Sequence, residues 1–150
     1  MFQRILVVLE NGKICQKALD YARGLALRMS AEVTFLMLVE MIFLDRPYLG
    51  TKRNAISQLE DRMGKIMAGF SASFLQEGVA VGMALKLGDP AEELLKFLAG
   101  RPPFQAIIWG SGVDLSETGH TRRGHWLSRV AGSLECPVFT VSAREKGAGR

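Results

Sequence analysis

Residues 4–12 read Arg-Ile-Leu-Val-Val-Leu-Glu-Asn-Gly, an apolar run that ends in a polar turn. The apolar part, residues 5–9, lacks the alternation expected of a strand that has one face in water. An unbroken apolar run of this length is typical of a strand buried on both faces, as in a parallel sheet. The Glu10-Asn11-Gly12 segment that follows predicts a turn at the end of that strand.

Helices and strands are predicted to alternate along the rest of the chain. Apolar residues spaced by three or four predict helices over residues 14–29 and 56–74, and a shorter one near residues 127–134. Asp89 is placed to cap the start of a further helix, and Pro90 suits the first position of that helix. Apolar, largely β-branched segments predict strands at residues 33–39, 79–87, 106–109 and 138–141.

This order predicts a single α/β domain with a doubly wound, Rossmann-like parallel sheet and helices on both faces. We expect five strands in the order 3-2-1-4-5, within a domain that covers residues 1–143. Residues 144–150, which are rich in glycine and charge, are expected to form a flexible tail.

Composition narrows the class of protein. The chain has 150 residues, of which 48% are hydrophobic and 23% charged, an ordinary globular balance. No apolar run reaches the roughly 18 to 20 residues of a membrane helix, and no export signal precedes the first strand. The chain has two cysteines, without the spacing of a metal site. Such cysteine usage fits a reducing compartment best, so we expect a cytoplasmic protein.

Charge and side-chain chemistry predict a binding protein without a catalytic centre. The net charge of +4 could favour polyanions, but the positive residues are dispersed, so a nucleic-acid partner is not predicted. His120 and His125 have no cysteine or carboxylate pattern around them, so no metal site is predicted. No Ser-His-Asp or Cys-His arrangement is visible.

Ligands of open parallel sheets bind at the carboxyl ends of the strands. Here the first strand ends at Glu10, and the fourth ends in Gly110-Ser111-Gly112. Glycine N–H groups, a following helix and Arg122-Arg123 could together hold a phosphate. The alternative is a simple surface loop, since the pattern matches neither a Rossmann fingerprint nor a Walker loop. Trp109 is predicted at the strand end, in the core or at its rim, and Trp126 at a dimer interface or beneath the loop.

Several segments, in order along the chain, resemble the universal stress protein family. They are RILVV at residues 4–8, KALDYA at 17–22, GDPAEELL at 88–95, IIWGS at 107–111 and CPV at 136–138. The resemblance implies homodimers that pair through the last strand. Here that strand would be Val138, Phe139, Thr140 and Val141, paired antiparallel with its copy.

The resemblance also implies where a nucleotide would bind. Some members of the family bind ATP through a glycine, two residues, a second glycine, nine residues, and then glycine with Ser or Thr. Carried over, the first glycine is Gly110, Val113 stands at the second, and Gly124-His125 stands at the closing pair. Glu10 corresponds to the acidic residue that helps hold the nucleoside, and Val39 to a backbone contact with adenine.

The departures from this pattern have physical consequences. Val113 carries a Cβ where the pattern wants close backbone approach, and His125 lacks the short hydroxyl. We therefore expect a stress-response or regulatory protein with a degenerate nucleotide site and no required cofactor. The alternative is a genuine ATP- or AMP-binding, nucleotide-gated switch; a nucleotide enzyme of the wider fold group is disfavoured for want of a second domain. The candidate nucleotide-site residues are Glu10, Val39, Gly110, Ser111, Gly112, Val113, Arg123, Gly124 and His125.

Overall fold

Strands and helices alternate in the computed structural model, which describes residues 3–40, 52–111, 126 and 130–141. In chain order the elements are β1 (Gln3–Glu10), α1 (Gln16–Met29), β2 (Ala31–Val39), α2 (Lys52–Gln76), β3 (Val81–Leu87), α3 (Pro90–Ala99), β4 (Ala106–Trp109), a 3-10 turn (Ala131–Ser133) and β5 (Val138–Thr140).

The strands form one parallel sheet of five, in the order β3-β2-β1-β4-β5, as predicted. β1 lies at its centre, where Val7 pairs with Phe35 of β2 on one side and Ile108 of β4 on the other. Residues 5–9 are fully buried. The central position explains why the β1 sequence is apolar without alternation.

Alternate residues of β1 point into two separate cores. Val7 and Leu9 pack with α1 and α2 on one face of the sheet. Leu6 and Val8 pack with α3 on the other face, where Trp126 also lies. Because side chains alternate along a strand, Glu10 follows Leu6 and Val8 onto the α3 face.

The residues at the start of α3 and at the end of α2 act as the sequence predicts. The Asp89 side chain accepts a hydrogen bond of 3.0 Å from the Glu92 N–H group, so it caps α3 ahead of Pro90. At the end of α2, Gly78 has a φ of +90°, and the Val79 N–H group donates to the Phe74 carbonyl. Val79 is therefore used in closing α2, and β3 begins at Val81 instead of the predicted residue 79.

The last strand is shorter than predicted. Thr140 pairs with Trp109, the final residue of β4, so Val141 has no partner in that strand. Near the predicted last helix, the described residues hold the 3-10 turn Ala131–Ser133. The predicted tail, residues 144–150, lies outside the described residues. No described helix combines the length and apolar character needed to cross a bilayer.

Candidate functional site

The turn after β1 is tied to the end of β2. Asn11 and Gly12 adopt left-handed conformations, with φ of 52° and 81°, which suit these residue types. The Asn11 N–H group donates to the Leu38 carbonyl at 2.8 Å. Its side-chain oxygen accepts a bond of 3.0 Å from the Glu40 N–H group. The turn after β1 is therefore held in place by its hydrogen bonds to the end of β2.

Gly110, at the end of β4, is required by packing. Its N–H group donates to the Val8 carbonyl at 2.7 Å, and its own carbonyl accepts from the Cys15 N–H group at 2.8 Å. A Cβ at this position would lie 2.6 Å from a Leu9 methyl carbon and 2.7 Å from a Val7 methyl carbon. The glycine predicted to approach a phosphate thus has a structural role against β1.

The Ser111 hydroxyl joins the two loops of the site. It accepts a hydrogen bond of 2.8 Å from the Glu10 N–H group and donates one of 2.7 Å to the Lys13 carbonyl. A hydroxyl has one proton to donate, and here that proton is directed at the protein's own backbone. Ser111 therefore holds the β1 and β4 ends together.

The Glu10 carboxylate is buried between two tryptophans. Only 9% of the residue is exposed. One of its oxygens accepts a bond of 3.2 Å from Trp109 Nε1, and the other accepts a bond of 2.6 Å from Trp126 Nε1. The indole rings meet edge to face, with centroids 5.2 Å apart. We call these three side chains the tryptophan clasp.

The clasp makes a buried carboxylate tolerable. A carboxylate taken out of water is costly unless hydrogen-bond donors replace its hydration. The two indole N–H groups do so, and each such charge-assisted bond contributes about 1.5 to 3 kcal/mol. Trp109 is fully buried and Trp126 nearly so. Each oxygen of Glu10 thus accepts a bond from the protein interior.

Val39 lies at the end of β2, two strands from the end of β4. It is almost fully buried, and its carbonyl accepts a bond of 3.0 Å from the Gly88 N–H group. Gly88 has a φ of 142°, which a residue with a side chain rarely adopts. At the position expected to give a backbone contact to adenine, the Val39 carbonyl is therefore engaged by the β3–α3 turn.

A sequence model of the universal stress protein family matches residues 1–142. The chain belongs to the universal stress protein family. The search of curated proteins found no match.

Several solved structures share the fold, among them members of the universal stress protein family. One, from Burkholderia pseudomallei, is 22% identical with a TM-score of 0.66, over 93% of this chain and 96% of that one. The hypothetical protein MJ0577 is 17% identical with a TM-score of 0.75, over 97% and 99% of the two chains. A family member from Arabidopsis thaliana, solved with AMP bound, is 17% identical with a TM-score of 0.58, over 96% and 94%.

Of the candidate nucleotide-site residues predicted from the sequence, the structure brings three together at the ends of β1 and β4. These are Glu10, Gly110 and Ser111. The others, apart from Val39, lie outside the described residues: Gly112, Val113, Arg123, Gly124 and His125, with Arg122 beside them.

The tryptophan partners of Glu10 were not among the predicted site residues. One signal could have revealed Trp109: it pairs with Val8 across β1 and β4, and Glu10 lies two residues beyond Val8 on the same face. The alternation of side chains along the two strands would therefore have placed the Trp109 N–H donor next to the buried Glu10. Trp126, 116 positions from Glu10, carries no comparable signal.

Other reactive groups give no second site within the described residues. There, no cluster of three His, Cys, Asp or Glu side chains could hold a metal. Cys15 and Cys136 are both free thiols. Burial raises the pKa of the Cys136 thiol, and the neighbouring Glu135 charge raises it further. A raised pKa keeps this thiol protonated and weakly nucleophilic at neutral pH.

Proposed function

We propose that this chain is a cytoplasmic, non-catalytic regulatory member of the universal stress protein family whose nucleoside site is closed by its own tryptophans. Its output comes through protein contacts, in a homodimer, and needs no bound nucleotide. The observation that carries the proposal is the tryptophan clasp, in which the Glu10 oxygens accept from Trp109 and Trp126.

The clasp competes with a nucleoside. Only 9% of Glu10 is exposed and both of its oxygens face an indole, so a sugar hydroxyl could bond to it only after an indole ring had moved aside. Each displaced bond costs about 1.5 to 3 kcal/mol, and each 1.4 kcal/mol weakens binding about tenfold. Trp126, with only 9% of its surface exposed, would also have to leave its packed position against Trp109. A nucleoside regains only part of this cost.

The residues of the nucleotide motif and the contacts of Ser111 support the same conclusion without the two tryptophans. Val113 and His125 replace the second glycine and the hydroxyl residue of the family's nucleotide motif. Ser111, which retains a hydroxyl, uses it between the Glu10 N–H group and the Lys13 carbonyl. A phosphate would therefore meet fewer unengaged donors than the motif normally offers.

The homodimer is supported by the surface beside β5. Phe139 and Tyr21 are each 38% exposed, and their rings lie 6.1 Å apart. Among the described residues, no strand covers the outer side of β5. Antiparallel pairing with a second β5 would cover both this apolar pair and the strand edge.

A second candidate is a nucleotide-gated switch. The Arabidopsis relative of the same fold has AMP bound, and Gly110 and Ser111 are present in this chain. In such a switch Trp126 would leave Glu10 when nucleotide enters. The two candidates differ in affinity and in the environment of Trp126.

Calorimetry on nucleotide-stripped protein separates the two functions. We expect no heat from ATP or AMP at millimolar concentration and no change in tryptophan emission. Both tryptophans of the chain belong to the clasp, so the emission reports on it alone. Micromolar affinity with a shift in emission would overturn the closed site and establish the switch.

A pair of variants tests whether Trp126 closes the site. Trp126→Ala removes both the ring and the N–H donor, and we expect it to gain measurable AMP binding. Trp126→Phe keeps an aromatic ring beside Trp109 but removes the N–H donor, and we expect it to bind AMP more weakly than Trp126→Ala does. Equal AMP affinity in the two folded variants would show that Trp126 does not block the site. Gly110→Val is unsuitable here, because its side chain would collide with Leu9 and Val7.

A further inference from the structure

A cavity of about 420 Å³ lies where β4 and β5 begin, at the end of the sheet opposite the tryptophan clasp. It is bounded by the last turns of α3, by the connection from α3 to β4, and by the residues that precede β5. Sites for small ligands typically enclose about 300 to 1,000 Å³. The cavity is therefore large enough for a small molecule, and the proposed function makes no use of it.

Apolar side chains form much of the cavity wall. Leu98, Leu134 and Cys136 are partly buried and pack against the core beneath α3. Leu95, which also lines the cavity, is 38% exposed. Removing apolar surface from water is favourable in proportion to the area covered. An apolar group that entered the cavity would therefore be stabilised by covering these side chains.

Two side chains of opposite charge, Arg101 and Glu135, line this cavity without pairing. Within the described part of the chain, neither side chain forms an ion pair or a hydrogen bond. Both residues are exposed at the surface, so they mark the side of the cavity that opens to solvent. Their charges are therefore available to a ligand whose apolar part enters the cavity.

The Arg101 guanidinium is held beside the cavity by an aromatic ring. Its Cζ atom lies 3.9 Å from the centroid of the Phe97 ring, and Phe97 in turn stacks on Phe104, with centroids 6.5 Å apart. A guanidinium that stacks through its face keeps the N–H groups at its edge for an acceptor, and a carboxylate can accept two of them. Arg101 therefore favours a carboxylate.

The Glu135 carboxylate acts on the Cys136 side of the cavity. Burial raises the pKa of the Cys136 thiol, and the charge of Glu135 raises it further. A ligand with a single charge would be attracted by one of the two charged side chains and repelled by the other. A zwitterion is attracted by both, because its carboxylate suits Arg101 and its ammonium group suits Glu135.

We propose that this cavity binds a free α-amino acid with an apolar side chain. Such a molecule carries a carboxylate, an ammonium group and an apolar group on one carbon atom. The carboxylate pairs with Arg101, the ammonium group pairs with Glu135, and the apolar side chain covers Leu98 and Leu134. Because the cavity and Glu10 lie at opposite ends of the sheet, this proposal can fail without the closed nucleotide site failing.

Protection of the Cys136 thiol from alkylation measures binding at the cavity itself. In a Cys15→Ala background Cys136 is the only thiol of the chain. We expect saturating L-leucine to slow its alkylation by iodoacetamide about tenfold or more, because only the ligand-free protein reacts.

Analogues of L-leucine test each part of the ligand. Isocaproate lacks only the ammonium group, isoamylamine lacks only the carboxylate, and glycine lacks the apolar side chain. Each should bind about tenfold more weakly than L-leucine, or less tightly still. Equal protection by L-leucine and isocaproate would indicate a site for anionic amphiphiles and overturn the proposal. Absence of protection by L-leucine at millimolar concentration would overturn it as well.

Variants of the two charged residues test their roles in the same assay. Arg101→Gln and Glu135→Gln each remove one charge, and each should weaken the binding of L-leucine by about tenfold or more. Lys96→Gln is the matched control, because Lys96 is an exposed cation of α3 that does not line the cavity; it should leave binding unchanged. Each rate is compared with that of the same variant without ligand, since Glu135 itself acts on the thiol. Unchanged binding in Arg101→Gln or Glu135→Gln, or an equal loss in Lys96→Gln, would overturn the proposal.

Discussion

The carboxyl ends of β1 and β4 and the outer edge of β3 use their polar groups in opposite ways. At the strand ends, Glu10 and Ser111 direct their side chains to partners within the chain. Along β3, alternate backbone groups face outward beside the exposed Met83 side chain. Folds of this type bind ligands at strand ends. The difference is that the strand ends use their polar groups for bonds within the chain, whereas the β3 edge leaves alternate backbone groups facing outward.

Glu10→Ala tests the stabilising part of this comparison and should have the largest effect. It removes the acceptor of both indole N–H groups and leaves two buried donors. We expect the free energy of unfolding to fall by about 3 kcal/mol, measured by urea denaturation.

Glu10→Gln is the matched control for that loss. It keeps one acceptor oxygen, so we expect a smaller loss of about 1 to 1.5 kcal/mol. If Glu10→Ala cost no more than Glu10→Gln, the tryptophan clasp would not stabilise the fold.

Gly110→Ala should have the next largest effect. The added methyl group would press against Leu9 and Val7 at less than 3 Å, and such overpacking costs about 1 to 3 kcal/mol. Gly69→Ala in α2, where a Cβ meets nothing within 4 Å, should instead stabilise by up to about 1 kcal/mol. The same sign for both substitutions in thermal unfolding would argue against a packing role for Gly110.

Asp89→Ala should have a smaller effect, although Asp89 is also an acidic residue at the carboxyl end of the sheet. Its side chain caps α3 through the Glu92 N–H group, and loss of a cap costs about 1 kcal/mol. Asp89→Asn should retain most of the stability. A loss in Asp89→Ala as large as that of Glu10→Ala would mean that the clasp is no stronger than an ordinary cap.

The smallest effect should come from Cys136, at the opposite end of the sheet from the clasp. Its pKa is raised on folding, so the unfolded chain loses this proton first as pH rises. Its contribution to stability is therefore complete below the unfolded thiol value of about 8.5 and declines above it. We expect slower alkylation by iodoacetamide in the folded protein than in urea at pH 8. Cys136→Ser should flatten the decline, and equal alkylation rates would contradict the raised pKa.

Much of the fold could be predicted because its determinants are local. The apolar run of β1, the Asp89-Pro90 helix start and the short apolar run of β4 each carry their information within a few residues. The apolar run of β1 indicates an inner strand, as observed, but it does not determine the order of the other strands. Boundaries set by distant partners were less accurate: β5 ends at Thr140 because β4 ends at Trp109.

The site was predicted less completely because it depends on side chains far apart in the chain. Glu10 was correctly placed at the end of β1, but its bond to Trp126 spans 116 positions and depends on how an indole ring turns. The packing of Gly110 was also not predicted: its neighbours Leu9 and Val7 leave no room for a Cβ. Spacing along the sequence contains neither fact.

The indole N–H groups themselves provide the most direct test of the closed site. With two tryptophans in the chain, a ¹H–¹⁵N spectrum contains two indole signals. We predict that both exchange slowly with D₂O, that both move in Glu10→Gln, and that neither moves when AMP is added at millimolar concentration. Rapid exchange of either signal, or a shift of either one on adding AMP, would contradict a cleft that is closed by Trp109 and Trp126.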